Sequence, residues 1–231
     1  MKNDTANITN LEKEFFSIEQ LKSVSIKDNE EGLVDLRKIA PSIILVPRKD
    51  NVSITGNTVF LRSTVAQKLK RVQDRLAKKG LGLKITDGYR PIEIQAKYYR
   101  QHLSRNKKTH PELSKRALEN LTIKFCAKPE LSFHPTGGAV DLTIIKLNTK
   151  RELWMGTKID VFTEKVYSFY PYLAKTVLDN RKILFREMDK ENFYNLPSEW
   201  WHFSYGTIDW ALYYKKPYAI YNVKKFKNYI T

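Results

Sequence analysis

Two segments far apart in the chain, Ser132-Phe133-His134-Pro135-Thr136-Gly137-Gly138-Ala139-Val140-Asp141 and Glu199-Trp200-Trp201-His202, hold two of its four histidines beside carboxylates. A fold in which they share a purpose must gather side chains from separate stretches of polypeptide at one point. From Ala139 to Ile145 the residues alternate, with Val140, Leu142 and Ile144 on one face of an expected strand and Ala139, Asp141 and Thr143 on the other. Asp141 therefore points away from the apolar face. Gly137-Gly138 just upstream supplies a turn that lets the backbone carry His134 back over the start of that strand.

Taken singly, these residues have ordinary explanations. A lone buried histidine is more often a satisfied core residue than a ligand, and an aspartate after a glycine turn is often only a turn former. Their conjunction points elsewhere. Zinc in a hydrolytic site usually takes three protein ligands from His, Asp or Glu and keeps a further position open, and His134, Asp141 and His202 would supply that set. Glu199, three positions before His202, is close enough along the chain to reach a water on the same ion, the place of a general base. His102 and His110 fall in a polar, lysine-rich stretch and read as surface residues.

Two further segments, Asp87-Gly88-Tyr89-Arg90-Pro91 and Met155-Gly156-Thr157-Lys158-Ile159-Asp160-Val161-Phe162, complete an ordered set of four motifs. With Ser-x-His-x-x-Gly-x-Ala-x-Asp and the Glu-x-x-His of Glu-Trp-Trp-His-Phe, the set resembles the VanX-type D-alanyl-D-alanine dipeptidases of the zinc D,D-peptidase family, from about Leu61 to about Gly206. The resemblance implies one zinc ion on His134, Asp141 and His202, with Glu199 as catalytic base. It further implies that Arg90 steadies the negative charge of the tetrahedral intermediate, that Asp160 holds the free ammonium of a dipeptide, and that Ser132 offers a hydroxyl near the bound peptide. Read without it, Arg90 is a solvated arginine after a tight Asp-Gly turn, with Pro91 ending a strand over Leu83 to Thr86. Asp160 is then as readily the cap of a helix over Phe162 to Phe169. The chain departs from the family pattern where Val52-Ser53-Ile54-Thr55-Gly56 stands for Asn-Phe-Thr-Gly and where Asn192 replaces a glycine before Phe193.

At 231 residues and 42% hydrophobic, the chain suffices for one substantial core, and 1–231 reads as a single domain. Residues 1–30 read as a peripheral N-terminal segment and 207–231 as a basic C-terminal tail. The charged N-terminal segment shows neither a signal peptide nor a membrane span. The single cysteine, Cys126, cannot form an internal disulfide. Both features favour the cytoplasm, with a periplasmic or exported location as the alternative.

An amphipathic helix is expected over Thr64 to Lys79, with Val65, Leu69, Val72 and Leu76 on one side and Gly80 as its stop. Further helices are expected over Glu112 to Phe125 and over Arg181 to Met188, the last capped by Asn180, and a strand over Trp201 to Tyr205. This order is α+β, a small mixed or antiparallel sheet flanked by helices, and the resemblance adds a zinc cleft along the sheet. Trp200 and Trp201 read as core, though one of them could wall the cleft.

The 41 Lys+Arg against 25 Asp+Glu give a net charge of +16, which would attract nucleic acid, anionic membrane or acidic wall peptides. Near the C-terminus Lys215, Lys216, Lys224, Lys225 and Lys227 are interleaved with Tyr218, Tyr221, Phe226 and Tyr229, a mixture able to stack on bases. No nucleic-acid-binding module accompanies them, so nucleic acid is not the expected partner. The expected activity is zinc-dependent hydrolysis of D-alanyl-D-alanine or a related small D-dipeptide. The alternative is a D,D-carboxypeptidase or endopeptidase acting on peptidoglycan stem peptides. A non-catalytic wall-binding module would have no need to keep both Glu199 and Arg90.

Overall fold

Alternating apolar residues build the sheet, and a helix with apolar residues every three or four positions covers one of its faces. The computed structural model describes residues 16–123, 126–161 and 163–226. Its strands are β1 (Leu33–Asp35), β2 (Ile44–Leu45), β3 (Phe60–Arg62), β4 (Leu81–Asp87), β5 (Ala139–Lys146), β6 (Tyr194–Asn195) and β7 (His202–Ser204). One sheet runs in the order β2-β4-β5-β7-β6, with β2 parallel to β4 and the other neighbours antiparallel. β1 and β3 pair as a separate antiparallel ribbon. The helices are α1 (Ile18–Ser23), α2 (Leu36–Ile39), α3 (Lys49–Thr55), α4 (Ser63–Ala77), α5 (Ile92–Thr109), α6 (Lys115–Ile123), α7 (Lys175–Asp189) and α8 (Ile208–Tyr213). The architecture is α+β with a mixed sheet, as the order of sequence patterns implies. No helix among the described residues is long and apolar enough to cross a membrane.

Val140, Leu142 and Ile144 of β5 share one core with Val65, Leu69, Val72 and Leu76 of α4 and with Leu184 and Met188 of α7. Each such side chain, fully removed from water, stabilises the fold by roughly 1.5–3 kcal/mol before conformational entropy is counted. Trp200 and Trp201 are both buried in this core, and Trp200 donates its indole N–H to Thr157 Oγ1 at 2.9 Å. Alternation then turns Asp141 and Thr143 to the opposite face of the sheet.

Several elements differ from expectation. α7 begins at Lys175, so Asn180 lies inside it and gives its amide to Trp154 O at 3.0 Å rather than capping an end. α6 starts only at Lys115, after Ser114 Oγ accepts the Ala117 N–H, and the expected end at Phe125 lies outside the described residues. Where a helix is expected after Asp160, the described residues form only a 3₁₀ turn, Glu164–Val166, preceded by Thr163, so Asp160 caps no helix there. The 18-residue α5 goes beyond the sequence expectation: Pro91, expected to end a strand, instead stands at the start of this helix, and β4 has already ended at Asp87.

The basic C-terminal segment is folded against the body as far as residue 226. Trp210, Ala211, Ala219 and Tyr221 are buried, and Lys224 donates its backbone N–H to Pro135 O. Its aromatic rings are engaged within the chain: Tyr221 lies under the Arg62 guanidinium, and Phe226 packs on Phe60 and Tyr89. Lys227 and Tyr229 lie outside the described residues. Arg62, itself buried, fastens the ends to the middle. It donates to Thr136 O at 2.7 Å, Glu31 O at 2.6 Å and Asn222 O at 2.8 Å, and pairs with Asp28 at 2.9 Å.

Candidate active site

Strand register builds the site. Asp141 of β5 stands directly opposite Asp87 of β4 on one side and His202 of β7 on the other, so three strands present one row of polar side chains. An irregularity in β4 between Ile85 and Asp87 makes the row possible. The extra residue switches the strand's alternation and brings Asp87, not Thr86, into register with Asp141. His134 comes from a 3₁₀ turn, His134–Thr136, that ends at Gly137 with φ +73°, a conformation a glycine adopts without strain. At Gly138 a β-carbon would approach Tyr205 O to 2.6 Å, so only glycine lets this loop close on β7.

The result is a buried cluster of His134, Asp141 and His202 whose ligand atoms all lie within 4.8 Å of one another. His134 Nδ1 is 2.7 Å from Gly88 O, which can only accept, so Nδ1 carries the proton and Nε2 presents its lone pair to Asp141 Oδ1 at 3.4 Å. His202 Nδ1 lies 3.0 Å from the same oxygen, while its Nε2 is buried without a partner among the described residues. Two donors around one tetrahedral zinc, each about 2.0–2.1 Å from it, stand about 3.3 Å apart. The separations of 3.0 and 3.4 Å match that edge. The donor set therefore fits a zinc ion, and its pattern of two imidazoles and one carboxylate is that of a hydrolytic rather than a purely structural site.

Glu199 sits over this cluster, held by a turn in which the His202 N–H donates to Glu199 O at 3.1 Å. Its Oε2 is 4.0 Å from His202 Nδ1. Burial, aided by the nearby Asp141 charge and only partly offset by His202, pushes its carboxyl up to about 7. A cation on the cluster would draw that value down.

Arg90 is buried rather than solvated. Its Nη2 and Nε lie 2.6 and 3.0 Å from Asp87 Oδ2, its Nη1 donates to Gln95 Oε1 at 2.6 Å, and Nη2 reaches within 3.7 Å of Asp141 Oδ2. Burial opposes ionisation of Asp87, but Arg90 and Arg48 outweigh it and hold the carboxyl below its usual range. Asn51 and the Gly88 N–H, each at 2.9 Å, satisfy the other Asp87 oxygen.

His134, Asp141, His202, Glu199 and Arg90 line a cleft of about 500 Å³, which also takes in Ser132 and Asp160. All seven residues singled out from sequence thus face one space. Sequence reading missed the opposite wall, where α5 contributes Gln95, Tyr98, Gln101, His102 and Arg105. His102 is therefore a cleft residue and not a remote surface one, and burial lowers its pKa. It also missed Arg48, whose Nη2 lies 2.7 Å from Asp160 Oδ1. Neither belongs to a motif, and only the tertiary fold brings them in.

Buried imidazoles and a carboxylate converging on one point, with an acid poised above them, carry the chemistry of metal-dependent peptide hydrolysis, and the chain is a metallopeptidase. The profile of peptidase family M15, described as D-ala-D-ala dipeptidase, matches residues 30–224, and the chain belongs to that family. A D-alanyl-D-alanine dipeptidase of Enterococcus faecalis is 28% identical over 159 residues, 66% of this chain and 75% of that protein. One of Enterococcus faecium is 26% identical over 144 residues, 60% of this chain and 69% of that protein. Among solved structures, the LdcB LD-carboxypeptidase superposes with a TM-score of 0.47 at 20% identity, over 87% of this chain and 84% of that one. VanYB in complex with D-alanine-D-alanine gives 0.45 at 16% identity, over 72% and 83%.

Proposed function

We propose that this chain is a zinc dipeptidase that hydrolyses D-alanyl-D-alanine or a closely related D-dipeptide, with the ion on His134, Asp141 and His202. The observation that carries the reading is the convergence of those three donors beneath Glu199 and beside Arg90. The chemistry such an ion supplies is Lewis acidity, which polarises a carbonyl and eases the ionisation of water. Glu199 takes the proton of the attacking water and passes it to the leaving amine. Arg90, clamped by Asp87 and Gln95, offers a fixed guanidinium where the carbonyl oxygen gains charge. One such donor is worth on the order of 3 kcal/mol in the transition state. Ser132 offers its hydroxyl to the bound peptide. Asp160, at the mouth of the cleft, receives the free ammonium; an acylated amino terminus would bring it no charge.

A second reading, hydrolysis of peptidoglycan stem peptides by a D,D-carboxypeptidase or endopeptidase, draws support from the Arg48 guanidinium already beside Asp160. Amine release from D-alanyl-D-alanine and from its N-acetyl form separates the two. The dipeptidase reading expects the higher kcat/KM on the free dipeptide, and preference for the acetylated one would reject it. Glu199→Ala is expected to keep one equivalent of zinc and lose turnover. We place the enzyme in a reducing compartment such as the cytoplasm, a reading that the single free Cys126 supports.

A further inference from the structure

Arg48 stands immediately before α3 and belongs to none of the four motifs. Its Nη2 lies 2.7 Å from Asp160 Oδ1 and 3.5 Å from Asp141 Oδ2, and its Nε lies 2.6 Å from Asp87 Oδ2, although that N–H is not aimed along the line. Its three carboxylate neighbours are not equally dependent on it. Asp141 faces the two histidines of the donor set, and Asp87 keeps Arg90, Asn51 and the Gly88 N–H. Asp160 forms its one ion pair among the described residues with Arg48. Its side chain is 44% exposed at the mouth, and its backbone is in the left-handed region at φ +64°.

We infer that Arg48 is a specificity-determining residue, an internal counter-ion of Asp160 that competes with the substrate's ammonium and narrows the preference for free over N-acylated dipeptides. The inference rests on the role proposed above for Asp160. An ammonium that meets a lone carboxylate gains the whole pair. One that meets a carboxylate already paired at 2.7 Å must share it and faces a like charge within a few ångströms. An acylated terminus carries no charge and escapes that penalty. Arg48 therefore weakens binding of the free dipeptide selectively.

The test compares kcat/KM for D-alanyl-D-alanine and N-acetyl-D-alanyl-D-alanine in the zinc-loaded enzyme. Arg48→Gln is expected to raise the ratio of free to acetylated about tenfold, with the change carried by KM. Arg48→Lys, which keeps the charge, is expected to stay near the wild-type ratio. In an Asp160→Asn background the Arg48→Gln change is expected to shrink severalfold, because only the like-charge contribution is left. Calorimetric affinities of the two peptides for Glu199→Ala, with and without Arg48→Gln, are expected to shift in the same sense, and they test Arg48 independently of turnover. An equal fall on both peptides, a selective loss of the free dipeptide, or a rise undiminished by Asp160→Asn would overturn the inference. Absence of hydrolysis of either peptide by the wild-type enzyme would instead reject the proposed function, with the binding ratio still deciding on Arg48.

Discussion

Asp87 supports the cleft from behind. Its Oδ2 lies within 3.0 Å of nitrogens of both Arg90 and Arg48, whose guanidinium groups stand only 3.7 and 3.5 Å from the same oxygen of Asp141. With the Asp87 charge removed, both cations would turn toward Asp141 and draw electron density from a metal donor. Asp87→Asn keeps the shape and the bonds to Asn51 and Gly88 while removing that charge. It is expected to weaken zinc binding about 10–100-fold, as loss of an outer support typically does, and chelator competition measures this directly. Zinc affinity equal to wild type would show that Asp87 serves Arg90 alone. Arg90→Gln separates the roles in the other direction. It is expected to lower kcat about 10²–10³-fold, the usual cost of a missing donor to developing charge, with zinc binding retained.

At the scale of elements, the described residues of the segment that carries Asp160 form no sheet strand or α-helix to fix it, and Arg181 of α7 takes over that task. Its buried guanidinium donates to Met155 O, Tyr167 O, Ser168 O and Lys165 O, at 2.6 to 3.2 Å. With no carboxylate among the described residues to pair with, burial lowers its pKa to about 10. Arg181→Met would take this donor from the Met155, Ser168 and Lys165 carbonyls, while Tyr167 O keeps the Tyr170 N–H. It is expected to cost roughly 1–3 kcal/mol in urea unfolding for each carbonyl left unsatisfied and to raise KM for the free dipeptide more than it lowers kcat. A loss of stability with KM intact would mean that Asp160 is positioned by other contacts. The same elements show what sequence could and could not tell. α4 was legible because its apolar residues recur at helical spacing, and the His134–Asp141 segment because glycines and alternation announce a turn and a strand. α5 was not, since few of its residues are apolar and Pro91 reads equally as a strand end. With α5 unseen, one wall of the cleft was missing and His102 was assigned to the surface. The irregularity in β4 leaves no sequence mark, yet it puts Asp87 opposite Asp141. Arg48 was invisible for a related reason: its meaning comes from three aspartates on other elements. Asn192, a departure from the family glycine, sits at φ +57°, a conformation asparagine tolerates better than most residues, so the fold keeps its turn there.

Across the whole molecule, a net charge of +16 means that acid adds positive charge to a surface already repelling itself. Against this stands an ion-pair network that locks α4 to α7. Glu187, almost fully buried, accepts from Arg75 at 2.9 Å, Lys79 at 2.7 Å and Lys190 at 3.1 Å, while Arg75 and Arg71 also hold Glu191. Burial alone would raise the Glu187 pKa, but the hydrogen bonds from Lys79, Arg75 and Lys190 overcome it and lower it from 4.5 to about 2. Because the folded-state value lies below the unfolded one, the stabilisation is fully present above about pH 4.5 and disappears as pH falls toward 2. Over that interval the contribution is at most on the order of 3 kcal/mol, reduced by solvent screening because Lys79 and Lys190 are about half exposed. The Glu187 contribution to the urea midpoint is therefore expected to be level from pH 7 to about pH 5 and to fall steeply below. Glu187→Gln is expected to be less stable by about that amount at pH 7 and to converge on wild type near pH 2. Added salt would soften the general acid limb, which comes from exposed charge, but would leave most of the difference between the two proteins, which comes from a buried one. A difference constant from pH 7 to pH 2 would mean that Glu187 contributes packing rather than charge, and that α4 and α7 are joined by their apolar faces alone.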